Sequence, residues 1–172
     1  MFSEVLISDE EIKERVREIG KQISEEYKGQ SILLVGILKG SVPFMSDLMR
    51  AIDGDVEIDF MSVSSYGSST QTSGVVRILK DLDSDIKGKN IIVVEDIVDT
   101  GLTLSYLKSH LQGRDPASVR ICTFLDKPAR RVVEITPDYV GFRIDDLFIV
   151  GYGLDYDQKY RQLPYISWLK ED

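Results

Sequence analysis

The sequence predicts an α/β domain whose mainly parallel sheet carries helices on both faces. Segments of strand length with aliphatic runs and no alternation of polar residues occur at residues 31–38 and 90–96, which is typical of strands buried on both faces. Segments with helical spacing of apolar residues lie between such runs, as right-handed crossover connections require. The length of 172 residues is that of one domain, so we expect a single domain over residues 1–172. Such sheets bind ligands beyond the carboxyl ends of their strands.

The first half of the chain predicts a helix, a strand, a second helix and two further strands. Ser8 is the expected N-cap of the first helix, because acidic residues occupy the turn that follows it. The apolar positions of this helix recur at helical spacing and are Ile12, Val16, Ile19 and Ile23. Residues 31–38 form a buried strand, and residues 43–50 form a helix with proline near its start. Residues 56–63 and 75–79 have extended patterns.

Residues 64–74 predict a mobile loop. Nine of these eleven residues are serine, threonine or glycine, and none has an aliphatic side chain. Such a segment has nothing to bury against the rest of the domain.

The second half of the chain continues the alternation of strands and helices. Residues 90–96 form a buried strand, and the helix that follows ends before Gly113 and Pro116. The remaining predicted elements are a helix over 102–111 and strands over 119–125, 139–144 and 147–150.

Composition excludes several classes of function. The 21 basic and 29 acidic residues give a net charge of −8, so the chain is not expected to bind nucleic acid. Cys122 and His110 are the single cysteine and histidine, which leaves oxygen as the main ligand for any metal and favours Mg²⁺. The acidic N-terminal residues differ from a secretory signal, and no apolar run is long enough to cross a membrane. We therefore expect a soluble, cytoplasmic protein.

The strongest motif lies at the end of the strand over 90–96. Glu95 and Asp96 follow four aliphatic residues, and a short loop with a glycine then leads into a helix. The free N–H groups of a helix N-terminus bind phosphate, and the hydroxyls of Thr100 and Thr103 add donors. A capped helix with two solvated acids is the alternative. Two acids at the end of an aliphatic strand are costly unless they face a polar ligand or a cation, which favours a binding site.

The segment VVEDIVDTGLT resembles the signature of type I phosphoribosyltransferases. Several motifs between Leu33 and Tyr165 occur in the same order as in hypoxanthine-guanine phosphoribosyltransferases, which the chain resembles in particular. This resemblance implies the type I fold, with a small hood formed by the terminal segments and a flexible lid loop. It also implies purine salvage by pentosyl transfer from 5-phosphoribosyl-1-pyrophosphate to N9 of hypoxanthine or guanine, giving IMP or GMP and pyrophosphate.

The resemblance implies how the donor is held. Glu95 and Asp96 would meet the ribose hydroxyls, with Mg²⁺ on the other side of the diol. The 5-phosphate would lie in a loop that we call the phosphate loop, formed by Asp99, Thr100, Gly101, Leu102 and Thr103. Asp99 also matches the candidate general base beside purine N7.

The pyrophosphate leaving group is implied to bind two further segments. Lys39 and Gly40 match the pyrophosphate loop, residues 38–40, which in this family has a cis peptide bond before the lysine. Asp155 would help to hold a second Mg²⁺, mainly through water, and Arg161 would contact the pyrophosphate. Taken alone, the lysine is an ordinary turn residue and the other two are a surface ion pair.

The purine and the lid are implied to involve the remaining site residues. Lys127 matches the lysine that donates to the oxygen at purine C6, which distinguishes hypoxanthine and guanine from adenine. Phe148 and Ile149 match the segment where a ring stacks on the purine and backbone groups contact its edge. Ser65 and Tyr66 match the start of the lid that excludes water.

Other functions remain open from the sequence alone. A regulatory RNA-binding homologue would share the donor site, but the acidic chain disfavours it. A xanthine-preferring enzyme is a closer alternative, whereas an adenine-preferring one conflicts with Lys127 as a donor to a carbonyl. A catalytically inactive interaction module would be expected to lack some of the motif residues, all of which are present. A homodimer or homotetramer is implied by the resemblance alone.

Overall fold

The computed structural model describes residues 2–65 and 76–169, with side chains for 4–64 and 76–169. The helices are α1 (Asp9–Glu26), α2 (Val42–Ala51) and α3 (Leu102–Gln112), with a 3-10 turn at Pro128–Arg130. The strands are β1 (Phe2–Ile7), β2 (Ser31–Leu38), β3 (Asp55–Ser65), β4 (Val76–Lys80), β5 (Asn90–Val98), β6 (Ser118–Asp126), β7 (Tyr139–Arg143), β8 (Ile149–Val150) and β9 (Ile166–Leu169).

The main sheet has six strands in the order β4-β3-β2-β5-β6-β7. Every neighbouring pair is parallel except β3 and β4, which are antiparallel. The prediction of a mainly parallel sheet is therefore confirmed. Its carboxyl edge collects the ends of β2, β5 and β6, where the candidate residues lie.

Helices cover both faces of this sheet. A capping box starts α1, since Glu11 N–H donates to Ser8 Oγ at 3.1 Å and Ser8 N–H donates to the Glu11 carboxylate at 3.3 Å. The apolar sides of α1 and α2 pack on one face around Leu34 and Phe124, and α3 packs on the other face around Val35 and Val93. Burying each such aliphatic side chain contributes about 1.5–3 kcal/mol, so the two helix layers fix the position of the carboxyl edge.

A second, smaller sheet in the order β1-β9-β8 forms the hood that the resemblance implied. Both pairings are antiparallel, and Ser167 Oγ donates to the carbonyl of Glu4 at 2.7 Å. The strand predicted over 147–150 is shorter than expected and belongs to the hood. The hood therefore joins the two chain ends to the segment after Phe148.

One strand boundary near the carboxyl edge differs from the prediction. The strand expected over 90–96 continues to Val98, because β6 stays paired with β5 as far as Val98 and Asp126. Its pairing with β2 stops at Gly36 and Val94. Glu95 and Asp96 thus lie within β5, beside the gap that opens as β2 turns away.

The predicted loop over 64–74 is only partly within the described residues. Ser64 and Ser65 belong to β3 and pair with Arg77 and Val76 of β4, so the predicted loop started too early. The rest of the predicted loop lies outside the described residues. In the described part of the chain, no helix is both long and apolar enough to span a membrane.

Candidate active site

Two adjacent carboxylates occupy the middle of the carboxyl edge. Glu95 is buried and Asp96 is half-buried, and the Ile97 N–H donates to Asp96 Oδ1 at 2.7 Å. Burial, reinforced by the charge of Asp96, raises the pKa of Glu95 well above its usual range. Burial also raises the pKa of Asp96 to about 6. A neighbouring cation or hydroxyl donors would therefore stabilise the ionised form of both carboxylates.

The pyrophosphate loop lies directly against this pair. The peptide bond Leu38–Lys39 is cis, as the resemblance implied. A Cβ atom placed on Gly40 would lie 1.8 Å from Asp96 Oδ2, and one on Gly153 would lie 2.0 Å from the Gly40 carbonyl oxygen. These positions have no room for a side chain, so the loop is held between Asp96 and the segment after β8.

The phosphate loop joins β5 to α3. Gly101 is the N-cap of α3 and has φ of 82°, a conformation that favours glycine. The Thr100 N–H donates to Asp99 Oδ1 at 2.6 Å, and the Leu102 N–H donates to Thr100 Oγ1 at 3.4 Å. Asp99, Thr100, Gly101 and Thr103 border a cavity of about 50 Å³ that Glu95 also lines. Asp99 is exposed.

The segment from Asp155 to Arg161 places the Arg161 guanidinium beside the pyrophosphate loop. The Asp155 and Arg161 side chains are 3.5 Å apart, and Arg161 Nη1 donates to the Gly153 carbonyl at 2.7 Å. Gln158 Oε1 accepts from Arg161 Nη2 at 3.1 Å and from Lys39 Nζ at 3.3 Å. Gln158 thus connects two predicted pyrophosphate ligands, a role that nothing in the sequence indicated.

Lys127 lies after β6 on the other side of the carboxylates. It is 7% exposed, and its Nζ donates to the Leu147 carbonyl at 2.6 Å and lies 3.8 Å from Asp146. Burial lowers the pKa of this lysine, and the charge of Asp146 opposes that shift. The carbonyl that it contacts immediately precedes Phe148, so the predicted purine residues converge on one another.

Phe148 and Ile149 differ in what they offer a ligand. The Phe148 side chain is 50% exposed and meets the Tyr156 ring edge-on at a centroid distance of 5.7 Å. The Ile149 side chain is buried in the core. Its backbone is therefore the part of Ile149 that is left to contact a ligand.

The carboxylate pair fits a divalent cation that takes further ligands from elsewhere. Within residues 2–65 and 76–169, no three histidine, cysteine or acidic side chains form a metal site on their own. A cation beside Glu95 and Asp96 would lower both raised pKa values and offset the burial of two neighbouring carboxylates. Substrate oxygens and water would complete the coordination that Mg²⁺ requires.

The described residues place most of the predicted site at one edge. Ser65 ends β3 on the same sheet, with its side chain outside the described atoms, and Tyr66 lies outside the described residues. A larger concavity of about 690 Å³ lies at the opposite end of the sheet, beside Ser31 and Asp55. The larger concavity therefore does not coincide with the predicted site residues.

Comparison with known proteins identifies the family and the fold of this chain. Residues 7–157 match the family model "Phosphoribosyl transferase domain". A hypoxanthine-guanine phosphoribosyltransferase of Bacillus subtilis is 52% identical over 98% of this chain and 94% of that protein. A crystal structure of a hypoxanthine phosphoribosyltransferase from Staphylococcus aureus superposes with a TM-score of 0.96 at 49% identity, covering 98% of this chain and 92% of that chain. The predicted fold class is confirmed.

Some relatives are much longer than this chain. The bifunctional protein TilS/HprT of Listeria monocytogenes is 52% identical over 99% of this chain, which corresponds to 26% of that protein. The chain therefore spans about a quarter of the length of that relative.

Proposed function

Because the chain belongs to the phosphoribosyl transferase domain family, we propose that it is an enzyme of purine salvage. It transfers the 5-phosphoribosyl group of 5-phosphoribosyl-1-pyrophosphate to N9 of hypoxanthine or guanine and releases pyrophosphate with IMP or GMP. The names of relatives that share about half of its residues support this activity.

The contact between Gly40 and Asp96 carries the proposal. It sets the backbone of the pyrophosphate loop directly against the Asp96 carboxylate, one of the two that would bind the ribose. A phosphoribosyl pyrophosphate has its diol and its pyrophosphate on neighbouring carbons, so the two groups need binding elements in contact with each other. The phosphate loop follows on the same strand and accounts for the 5-phosphate.

The proposed reaction breaks the bond between ribosyl C1 and the pyrophosphate oxygen and forms the bond from C1 to purine N9. Positive charge develops on the sugar and negative charge on the leaving group. Lys39 and Arg161 stabilise the leaving group, and Asp99 accepts the proton that the purine loses. Lys127 holds the purine by donating to the oxygen at C6, while Phe148 stacks on the ring. Ser65 and Tyr66 start the lid that closes over these groups.

We propose Mg²⁺ as the cofactor, held by Glu95 and Asp96 and, at a second position, by Asp155. When bound, it offsets the negative charge of the pyrophosphate. Asp155→Asn keeps an oxygen that accepts from the Gln158 N–H, which now donates at 2.9 Å, but removes the charge. We expect this variant to need on the order of tenfold more Mg²⁺ for half-maximal rate. Wild-type metal dependence in a magnesium titration would exclude Asp155 from this role.

The remaining assignments rest on the family likeness. We propose a homodimer or homotetramer that works in the cytoplasm on small molecules, without nucleic acid as a partner. Sedimentation of the purified chain across a range of concentrations tests the oligomeric state. The net charge of −8 supports the absence of nucleic acid.

The experiment that tests the function compares product formation from hypoxanthine, guanine, xanthine, adenine and uracil, with and without Mg²⁺. We expect metal-dependent formation of IMP and GMP, and loss of both in a Glu95→Gln, Asp96→Asn double variant. Glu14→Gln, which changes an exposed carboxylate on α1, is the matched control and keeps full activity.

Two other outcomes would replace the proposal. Faster product formation with xanthine than with hypoxanthine or guanine would assign a xanthine-preferring enzyme. Binding of the phosphoribosyl donor without product from any base would favour the regulatory homologue, and an RNA-binding assay would then test that function.

A further inference from the structure

Three successive carbonyl groups of the phosphate-loop region accept hydrogen bonds from one segment, residues 127–132. The Lys127 N–H donates to the Val98 carbonyl at 2.9 Å, and the Val132 N–H donates to the Thr100 carbonyl at 3.0 Å. Between them, Arg131 Nη1 donates to the Asp99 carbonyl at 2.9 Å. The middle one of the three bonds therefore depends on a side chain and can be removed by substitution.

The Arg131 guanidinium is itself held in place. Its Nη2 donates to Asp126 Oδ1 at 2.7 Å, and the two side chains are only 16% and 5% exposed. Asp126 is the last residue of β6, so the pair is anchored to the main sheet. A planar guanidinium directs its two nitrogens toward separate acceptors, which a single ammonium group does not reproduce.

The Asp99 carbonyl belongs to the same peptide unit as the Thr100 N–H. That N–H donates to Asp99 Oδ1 at 2.6 Å. A peptide unit is planar, so fixing the direction of its oxygen also fixes the direction of its N–H. The contact from Arg131 thus orients the donor that holds the Asp99 carboxylate.

We propose that Arg131 is a positioning residue that sets the orientation of the Asp99 carboxylate and of the phosphate loop relative to Lys127. The inference rests on the proposed function, in which Asp99 accepts the purine proton and Lys127 binds the same purine. One guanidinium then links the end of β6 to the general base, so the base and the purine-binding lysine keep a fixed separation.

Chemical rescue tests this role. A concavity of about 640 Å³ lined by Arg131 and Asp126 gives a small cation access to the position that the side chain leaves. We expect Arg131→Ala to lower kcat by between about 10-fold and 100-fold, as a small displacement of a catalytic group does. Added guanidinium chloride at concentrations that leave the melting temperature unchanged is expected to restore kcat at least several-fold. Arg143→Ala, which removes an exposed arginine from the same concavity, is the matched control and keeps wild-type kcat.

A second comparison separates positioning from general damage. In a variant that already carries Asp99→Ala, Arg131→Ala is expected to lower kcat much less than in the wild type, because the group that Arg131 orients is gone. An unchanged kcat in Arg131→Ala would overturn the proposal. So would an equal loss of kcat with and without the Asp99 side chain, accompanied by no rescue with guanidinium.

Two further measurements keep the test decisive. If Arg131→Ala does not fold, Arg131→Lys is the alternative, because it keeps the charge opposite Asp126 and removes the second donor. Its kcat is expected to fall, while its melting temperature stays near that of the wild type. Hydrogen exchange over residues 98–102 is expected to be faster in Arg131→Lys than in the wild type, and unchanged exchange would overturn the inference. That readout needs no turnover, so a wild-type chain without nucleotide formation would contradict the proposed function alone.

Discussion

At the scale of single residues, Lys127 has few acceptors in its surroundings. It is 7% exposed, and a carbonyl oxygen at 2.6 Å is its nearest described acceptor. Burial lowers its pKa because it disfavours the charged ammonium group. A hydrogen-bond acceptor on a ligand would stabilise that charged group. We expect Lys127→Ala to lower kcat/KM for hypoxanthine and guanine on the order of 10- to 100-fold relative to adenine, the size of a hydrogen bond to a charged group. The KM for the phosphoribosyl donor is expected to change little.

The control for this variant is Lys87→Ala, which removes an exposed lysine from the turn before β5. Steady-state kinetics with the three bases, measured side by side, give the comparison. An unchanged ratio of hypoxanthine to adenine in Lys127→Ala would remove Lys127 from the purine site.

Gly40 allows a second residue-level prediction. A Cβ atom there would overlap the Asp96 carboxylate, so Gly40→Ala must displace either the pyrophosphate loop or Asp96. We expect a loss of kcat/KM for the phosphoribosyl donor on the order of 100-fold, since both groups are proposed to bind it. Gly113→Ala is the matched control, because Gly113 has φ of −65° and its nearest contact would be 3.4 Å. Equal kinetics in the two variants would show that the loop does not bind the donor.

Residue roles were predictable only where a local motif carried them. Glu95 and Asp96 stand out because acids at the end of an aliphatic run are unusual, whereas Lys39 and Lys127 were recognised through the family pattern alone. Gln158 and Arg131 were missed, because each acts through a contact with a residue far away in the sequence. Nothing local to either residue distinguishes it from an ordinary surface side chain.

At the scale of elements, the sequence predicted those that local chemistry determines. The cap at Ser8 and the apolar spacing that follows specify α1, and eight residues without a charge specify β2. The predicted end of β5 was wrong, because acidic residues disfavour strands locally while pairing with β6 extends this one. The strands β1 and β9 were not predicted, since each is defined by pairing with the opposite end of the chain.

The end of α1 is attached to the sheet by a small polar cluster with a defined pH dependence. Tyr139 of β7 and Arg120 of β6 both donate to the Glu26 carboxylate. The hydrogen bond from Tyr139, opposed by burial and assisted by Arg120, lowers the pKa of Glu26. Because the folded-state pKa lies below the unfolded value of about 4.3, this stabilisation is complete above that pH and is lost as the pH falls through the lowered pKa.

We therefore expect Tyr139→Phe to reduce the free energy of unfolding by about 1 kcal/mol at neutral pH, allowing for solvent screening. The difference from the wild type is expected to shrink as the pH falls through the lowered pKa of Glu26. Urea denaturation at a series of pH values from about pH 7 downward measures it. Tyr106→Phe, on the exposed side of α3, is the control. A difference that does not depend on pH would show that the stabilisation does not involve the charge of Glu26.

At the scale of the whole molecule, the two chain ends and the purine side of the site form one unit. The strand β9 lies between β1 and β8 in the hood, and the Leu169 N–H donates to the Phe148 carbonyl at 2.9 Å. Phe148 is thus held by β9, which is itself paired with β1, whereas the carboxylates and the phosphate loop are fixed by the main sheet. The two substrates are expected to depend on different layers of the structure.

Removal of residues 1–7 tests this division of the molecule. The deletion keeps Ser8 as the cap of α1 but takes away the strand that covers β9, so the backbone of β9 and its contact with Phe148 lose their outer support. We expect the KM for hypoxanthine to rise on the order of tenfold while the KM for the phosphoribosyl donor changes less than about twofold. Circular dichroism should retain the signal of the main sheet and its helices. Val5→Thr in the full chain alters an exposed side chain of the same strand and is expected to leave both constants unchanged. Equal increases in the two constants would show that the hood supports the whole site and not the purine side alone.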